Sequence, residues 1–143
     1  MKNLRKLRAS SAIVALALLA AGCDFSVSTA NLSGLKTSTD KEGKSETSNF
    51  KRGDTIYGIA QVSNNPGKAV VKYSVFADEA AGLTKGEKMM ELPLNVEGSM
   101  SATLTLKPSE DMPYGTYTIT ADMMNDSGEK KDSKSVSIKF GSE

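Results

Sequence analysis

Met112-Pro113-Tyr114-Gly115-Thr116-Tyr117-Thr118-Ile119-Thr120-Ala121-Asp122-Met123 is the stretch on which the reading of this chain turns. From Tyr117 onward every second residue is apolar or small: Tyr117, Ile119, Ala121 and Met123. The residues between them, Thr118, Thr120 and Asp122, are polar, as is Thr116 before them. A period of two places successive side chains on opposite faces, so one face of this segment is dry and the other wet. The β-branched threonines fit a strand better than a helix. Pro113 and Gly115 punctuate a tight entry to the strand.

The same pattern spreads outward in both directions. Downstream, Asn125-Asp126-Ser127-Gly128 is a hairpin signal. Val136, Ile138 and Phe140 then alternate with Ser135, Ser137 and Lys139. Upstream, Met100, Ala102, Leu104 and Leu106 alternate with Ser101, Thr103 and Thr105, behind a turn at Gly98-Ser99. Met90, Leu92, Leu94 and Val96 alternate with Glu91, Pro93, Asn95 and Glu97. Pro93 has no N–H to donate, which places that strand at a sheet edge. Ala69–Ala77 and Thr55–Ser63 are two further strands, joined by the turn cluster Asn64-Asn65-Pro66-Gly67.

Before Phe50 the chain is rich in Ser, Thr, Asn, Gly and Lys, the composition of a tether. Yet Phe25, Val27, Leu32 and Leu35 recur through its first half, and Val27–Thr37 is expected to be a first strand. The sum is an all-β, antiparallel sandwich of six strands, or seven with the first.

Met112-Pro113-Tyr114-Gly115-Thr116-Tyr117 resembles the P-x-G-x-Y entry to the penultimate strand of immunoglobulin-like and fibronectin-type-III-like bacterial domains. The resemblance covers roughly Val27 to Phe140. It implies a tyrosine corner, with the Tyr117 ring inside and its hydroxyl bonded back to the preceding loop. It implies nothing about activity.

The N-terminus carries a second resemblance. Lys2, Arg5, Lys6 and Arg8 precede the apolar run Ala12 to Ala21, and Leu19-Ala20-Ala21-Gly22-Cys23 closes it. The run has the length of a signal-peptide core and is too short to span a bilayer. The segment resembles the lipobox of bacterial lipoproteins. This implies a helical signal peptide over 1–22, cleavage before Cys23, diacylglycerol on the Cys23 sulfur and acylation of the new amine. Residues 23–26 would be the lipidated start of a tether whose character extends to 49, and 27–141 the sandwich. Two or more acyl chains hold a protein on a membrane stably. Asp24 resembles the inner-membrane retention signal of some enteric-type bacteria. The expected location is therefore the cell membrane, lipid-anchored and facing the periplasm or exterior, with the inner membrane preferred over the outer.

Composition restricts the chemistry. Residues 1–22 contain four of the 18 Lys and Arg and none of the 17 Asp and Glu, leaving a net charge of −3. That balance argues against nucleic acid as a partner. The chain has no histidine and no tryptophan, and Cys23 is its single cysteine. The commonest general base and metal ligand is thus missing, as are disulfides and structural zinc. No nucleophile stands beside a base, so no catalytic residue and no cofactor are expected.

Several features still suggest binding. Met89, Met90, Met100, Met112, Met123 and Met124 follow the signal peptide. With Met90, Met100 and Met123 filling the core, Met89, Met112 and Met124 remain as thioether ligands for a soft metal such as Cu(I). Arg52-Gly53-Asp54 spells an integrin-binding tripeptide but also reads as a turn. The acidic residues Asp78, Glu79, Glu110, Asp111, Asp122 and Asp126 match no calcium-loop spacing. Tyr57, Ile59 and Phe76 sit on strands that are apolar on both faces. They are either covered by loops or form a patch for a protein partner. The expected role is non-catalytic binding or assembly with another envelope protein. Methionine-based copper binding is the first alternative, and a protein inhibitor or adhesion module the second.

Overall fold

The computed structural model describes residues 29–141. The expected signal peptide over 1–22, the expected lipidation site Cys23 and the expected sorting residue Asp24 lie outside the described residues. Eight strands follow in order: β1 Asn31–Ser38, β2 Asn49–Phe50, β3 Ile56–Ser63, β4 Lys68–Ala80, β5 Lys88–Glu97, β6 Ser101–Leu106, β7 Gly115–Asn125 and β8 Lys130–Phe140. They form two sheets, β1-β3-β6 and β2-β8-β7-β4-β5. All pairings are antiparallel except the short β2, which runs parallel to the end of β8.

Six of the strands fall where alternation places them. Ala69, Val71, Tyr73, Val75 and Ala77 of β4 are buried, as are Tyr117, Ile119, Ala121 and Met123 of β7. These series meet Ile56, Ala60 and Val62 of β3 and Ala102 and Leu104 of β6 in one core between the sheets. Burying such faces is the dominant favourable term in folding. β5 occupies an edge, as Pro93 requires.

Three expectations change. First, β1 falls in the strand expected over Val27–Thr37, and the tether character expected as far as 49 gives way to packed structure. Leu32 and Phe50 are buried in the core, and β1 pairs with β3 from Asn31↔Ser63 to Ser38↔Tyr57. Burial of a few well-spaced apolar groups outweighs a polar composition. Second, the described residues hold eight strands and not six or seven, because Asn49–Phe50 adds a two-residue rung to β8 that has no period of its own. Third, Met100 is 45% exposed. It lies in the turn before β6, where its carbonyl accepts from Val62 N–H, and not in the inward series.

Two tyrosines tie the layers together. Tyr117 is fully buried, and its hydroxyl donates to the Pro113 carbonyl at 2.6 Å, the corner that the sequence implies. Gly115 lets it form by close approach. A Cβ there would collide with the Glu79 carbonyl oxygen and lie 2.8 Å from Ala80 Cα. Tyr73 crosses from the five-stranded sheet to the other. Its hydroxyl accepts from Ala60 N–H at 2.9 Å and lies 2.7 Å from the Ala102 carbonyl and 2.9 Å from that of Gly58. The hydroxyl therefore bridges β3 and β6 at their Ala60↔Ala102 pair.

Candidate functional site

The two side edges of the sandwich are built differently. At one, β1 lies over β8, and Leu32 N–H donates to Asp132 Oδ2 at 2.8 Å across the gap between the sheets. At the other, β5 and β6 are consecutive but belong to different sheets. The chain turns between them at Gly98-Ser99 and the strands diverge. Toward the far end they leave a cleft of about 510 Å³.

Val75 forms the floor of this cleft, Met89 and Met90 of β5 one wall, and Leu106 with Met112 the other; Leu83 closes the end. Lys107, Ser109 and Asp111 supply a polar rim. β5 is wider than its cover. Its inward residues Met90, Leu92 and Leu94 pair with Val75, Tyr73 and Val71, yet Leu92 is 36% exposed. Met89, at the mouth, is 39% exposed. An apolar cleft with a few polar groups at its lip is the usual form of a binding site.

The wall formed by residues 107–113 is held from behind. Arg52 stacks 4.7 Å from the centre of the Tyr114 ring and 5.9 Å from that of Phe140. Its Nε donates to the Tyr114 hydroxyl at 3.0 Å, Nη1 to the Glu110 carbonyl, and Nη2 reaches the Met112 carbonyl at 3.5 Å. Tyr117 fixes the same loop at Pro113. Burial pushes the Tyr117 and Tyr73 phenols above the usual tyrosine range, so both stay protonated donors. The Arg52-Gly53-Asp54 tripeptide is a turn. Asp54 N–H donates to the Lys51 carbonyl at 3.1 Å, and the Asp54 carboxylate accepts from Lys51 N–H at 2.8 Å.

Of the three methionines singled out as ligands, Met89 and Met112 meet in the cleft, and Met90 joins them. Met124 does not. It pairs with Val70 on the outer face of the five-stranded sheet, five residues along β7 from Ile119, the partner of Val75. That is about 17 Å of strand.

The expected patch of Tyr57, Ile59 and Phe76 is also divided. Tyr57 and Ile59 point outward from the three-stranded sheet, and Phe76 outward from the five-stranded one, on the opposite side of the molecule. Ile59 is covered by the loop after β1. A Cβ at Gly43, whose φ is +73°, would sit 2.9 Å from Ile59 Cδ1. Asp40 shapes that loop by accepting from Lys44 N–H at 3.1 Å and from Ser45 N–H. The Lys44 amide holds the Asp40 carboxyl well below the usual range. Phe76 is half-buried, with Lys88 Nζ 5.9 Å from its ring centre.

Thr118 hydrogen-bonds Asp78 at 2.7 Å, and Lys130 pairs with Asp122 at 3.4 Å. Among the described residues no three or more His, Cys, Asp or Glu side chains form a group that could hold a metal ion. Sequence reasoning missed Leu83, Leu106 and Arg52 as parts of the site. Leu106 was visible as the end of an inward series, whereas nothing local links Arg52 to Tyr114.

Compared with known proteins, the chain matches no protein-family model and no curated protein.

Proposed function

We propose that the chain is a membrane-anchored lipoprotein of the bacterial envelope whose immunoglobulin-like sandwich is a non-catalytic docking module. The immunoglobulin reading is supported by the order β1-β3-β6 facing β2-β8-β7-β4-β5, by the short parallel β2 beside the last strand, and by the Tyr117 corner. The docking reading rests on one observation. The molecule's open edge carries an apolar cleft with Met89 and Leu92 left exposed beside it. Flexible thioethers adapt to varied apolar partners.

The anchor reading rests on the resemblance at Leu19–Cys23. Mass spectrometry of the mature N-terminus should find acylated Cys23, and Cys23→Ser should release or block processing of the chain. Membrane fractionation tests the inner-membrane preference drawn from Asp24; most of the protein in the outer fraction contradicts it. The docking reading is tested in the native membrane with a photo-crosslinking residue at position 89 or at position 120 on the outer face. Adducts to a mapped segment of an envelope protein from position 89 and not 120 support it. Equal capture from both contradicts it.

A second reading has an observation of its own. Met89, Met90 and Met112 line one cleft, with Asp111 the only carboxylate among its lining residues, and soft thioethers favour Cu(I). Titration against a Cu(I) chelator should then show one equivalent bound, lost in the Met112→Leu protein. Unchanged copper binding in that protein would remove the reading.

A further inference from the structure

We infer that the free rim of β6 pairs with the same strand of a second copy of this chain, joining two domains through one continuous sheet. This goes beyond the docking reading and does not depend on it. The antiparallel β3–β6 ladder decides which backbone groups of β6 face outward. Val62 N–H donates to the Met100 carbonyl at 2.9 Å, and the Tyr73 hydroxyl, held in the same gap, lies 2.7 Å from the Ala102 carbonyl. Met100 and Ala102 thus turn their backbone groups toward β3. Alternation along such a ladder turns those of Ser101, Thr103 and Thr105 away from it. β6 is the margin of its sheet, and among the described residues no backbone group takes these up. The other margins are guarded. β1 breaks register at Leu32/Gly34, gives its Leu32 N–H to Asp132, and has its Thr37 carbonyl taken by Thr47 N–H. β5 carries Pro93 with Lys88, Glu91 and Glu97. β8 carries Lys130, Lys131, Lys134 and Lys139, and β2 covers its end. Bulges, prolines, charges and covering segments are how proteins keep a sheet edge from pairing. β6, Ser-Ala-Thr-Leu-Thr-Leu, has none of them, and its register against β3 is unbroken.

The strand is also complementary to itself. A two-fold axis at Thr103 engages the outward groups of Ser101, Thr103 and Thr105 in both strands at once. It sets Ser101 opposite Thr105 of the second copy, and Thr103 opposite its own counterpart. On the core side it sets Ala102 opposite Leu104. Met100, 45% exposed at the turn, comes level with the half-buried Leu106. Hydroxyl side chains meet hydroxyl side chains, apolar ones meet apolar ones, and no charge meets its like. A closed two-fold contact needs one patch that matches itself, and β6 supplies it. Met89 and Met90 lie on β5, across the cleft, and take no part in the pairing.

Cross-linking between copies tests the pairing on the full-length protein in its native membrane. Thr103→Cys, and Thr120→Cys on the outer face of the other sheet, are treated with a short bismaleimide, and the adducts are mapped by mass spectrometry. The expected result is an adduct joining position 103 of two copies, severalfold more abundant than any joining position 120. Its absence, or equal adducts from the two positions, overturns the inference. The register is then read by charge in the Thr103→Cys protein, at two positions whose side chains are exposed. Ser101→Lys with Thr105→Lys sets like charges opposite each other and should abolish the adduct, whereas Ser101→Lys with Thr105→Glu sets opposite charges there and should keep it. Equal adduct from both double variants, at whatever level, overturns the two-fold at Thr103.

Discussion

The two side edges of this sandwich solve one problem in opposite ways. Where β1 lies over β8, the gap between the sheets is bridged by the Leu32–Asp132 hydrogen bond, and β2 is laid along β8 with Phe50 buried beneath. Where β5 meets β6, the far half of the gap is a cleft lined by methionine and leucine side chains. The polar seal at the first edge satisfies an amide whose β1–β3 register shifts at Leu32/Gly34. The open edge leaves apolar surface uncovered, which ordinary stability does not select. The difference separates an edge at which the molecule holds itself together from one that, on the docking reading proposed above, is left for a partner.

The largest effects should come from the corner that supports the open edge's wall. Tyr117→Ala should cost about 3–5 kcal/mol, a large share of a stability of about 5–15 kcal/mol, and lower Tm by more than about 10 °C. Gly115→Ala should approach it, since the clash is with the Glu79 and Ala80 backbone. A Tm unchanged in Tyr117→Ala would show that the register of β7 is wrong. Tyr73→Phe should cost about 1–3 kcal/mol in chemical denaturation, more than the roughly 1 kcal/mol for Tyr117→Phe. The Tyr73 hydroxyl serves Ala60 N–H in a fully buried place, whereas that of Tyr117 bonds a loop carbonyl.

The two edges are then set against each other directly. Asp132→Ala at the sealed edge should lower stability by about 1 kcal/mol, by orphaning Leu32 N–H, and leave partner capture intact. Met112→Leu at the open edge should cost less than about 1.5 kcal/mol at most and should weaken capture. The reverse pattern would mean that the sealed edge is the functional one.

The smallest effect concerns pH. With no histidine in the chain, Tm should be flat between about pH 5 and pH 8. Asp40, Glu91 and Glu129 are held below their ordinary values by the Lys44 amide, by Lys88 and by Lys131 respectively. Folded, they release protons that the unfolded chain still binds. Their contribution is present above about pH 4 and is lost as pH falls through the folded values. Tyr73 and Tyr117 act in the opposite direction, their contribution being lost as pH rises above about 10. A midpoint of loss near pH 6.5 would contradict this assignment.

Much of this architecture is legible in the sequence because a strand writes its burial with a period of two. Tyr117-Ile119-Ala121-Met123 and Val71-Tyr73-Val75 are inward in the structure as they are in the alternation. Pro93 marks β5 as an edge because a missing N–H has few places to go. What alternation cannot carry is which sheet a strand joins. Tyr57 and Phe76 each point outward from their own strand, and only the sheet assignment shows that they face opposite sides. The same holds for the cleft. Met89 and Met112 come together because β5 and the loop after β6 flank one gap, while Met124 is carried away at the other end of β7. Arg52 and Tyr114, 62 residues apart, leave no local trace of their contact. β1 falls in the strand expected over Val27–Thr37, whereas β2 escaped because Phe50 is the one large apolar side chain in a run of Ser, Thr, Lys and Glu from 39 to 50.

The central claim is that the uncovered cleft between β5 and β6 exists for a partner and not for the fold. Met89→Asp tests it most directly, since the side chain is 39% exposed at the cleft mouth and a charge there meets water when the cleft is empty. Tm, and adducts from a photo-crosslinking residue at position 109 on the cleft's rim, are measured on the same full-length protein in its native membrane. The account predicts a Tm within about 2 °C of the parent and loss of the cross-linked adduct. A normal adduct with Asp at position 89, or an adduct lost only in step with unfolding, would contradict it.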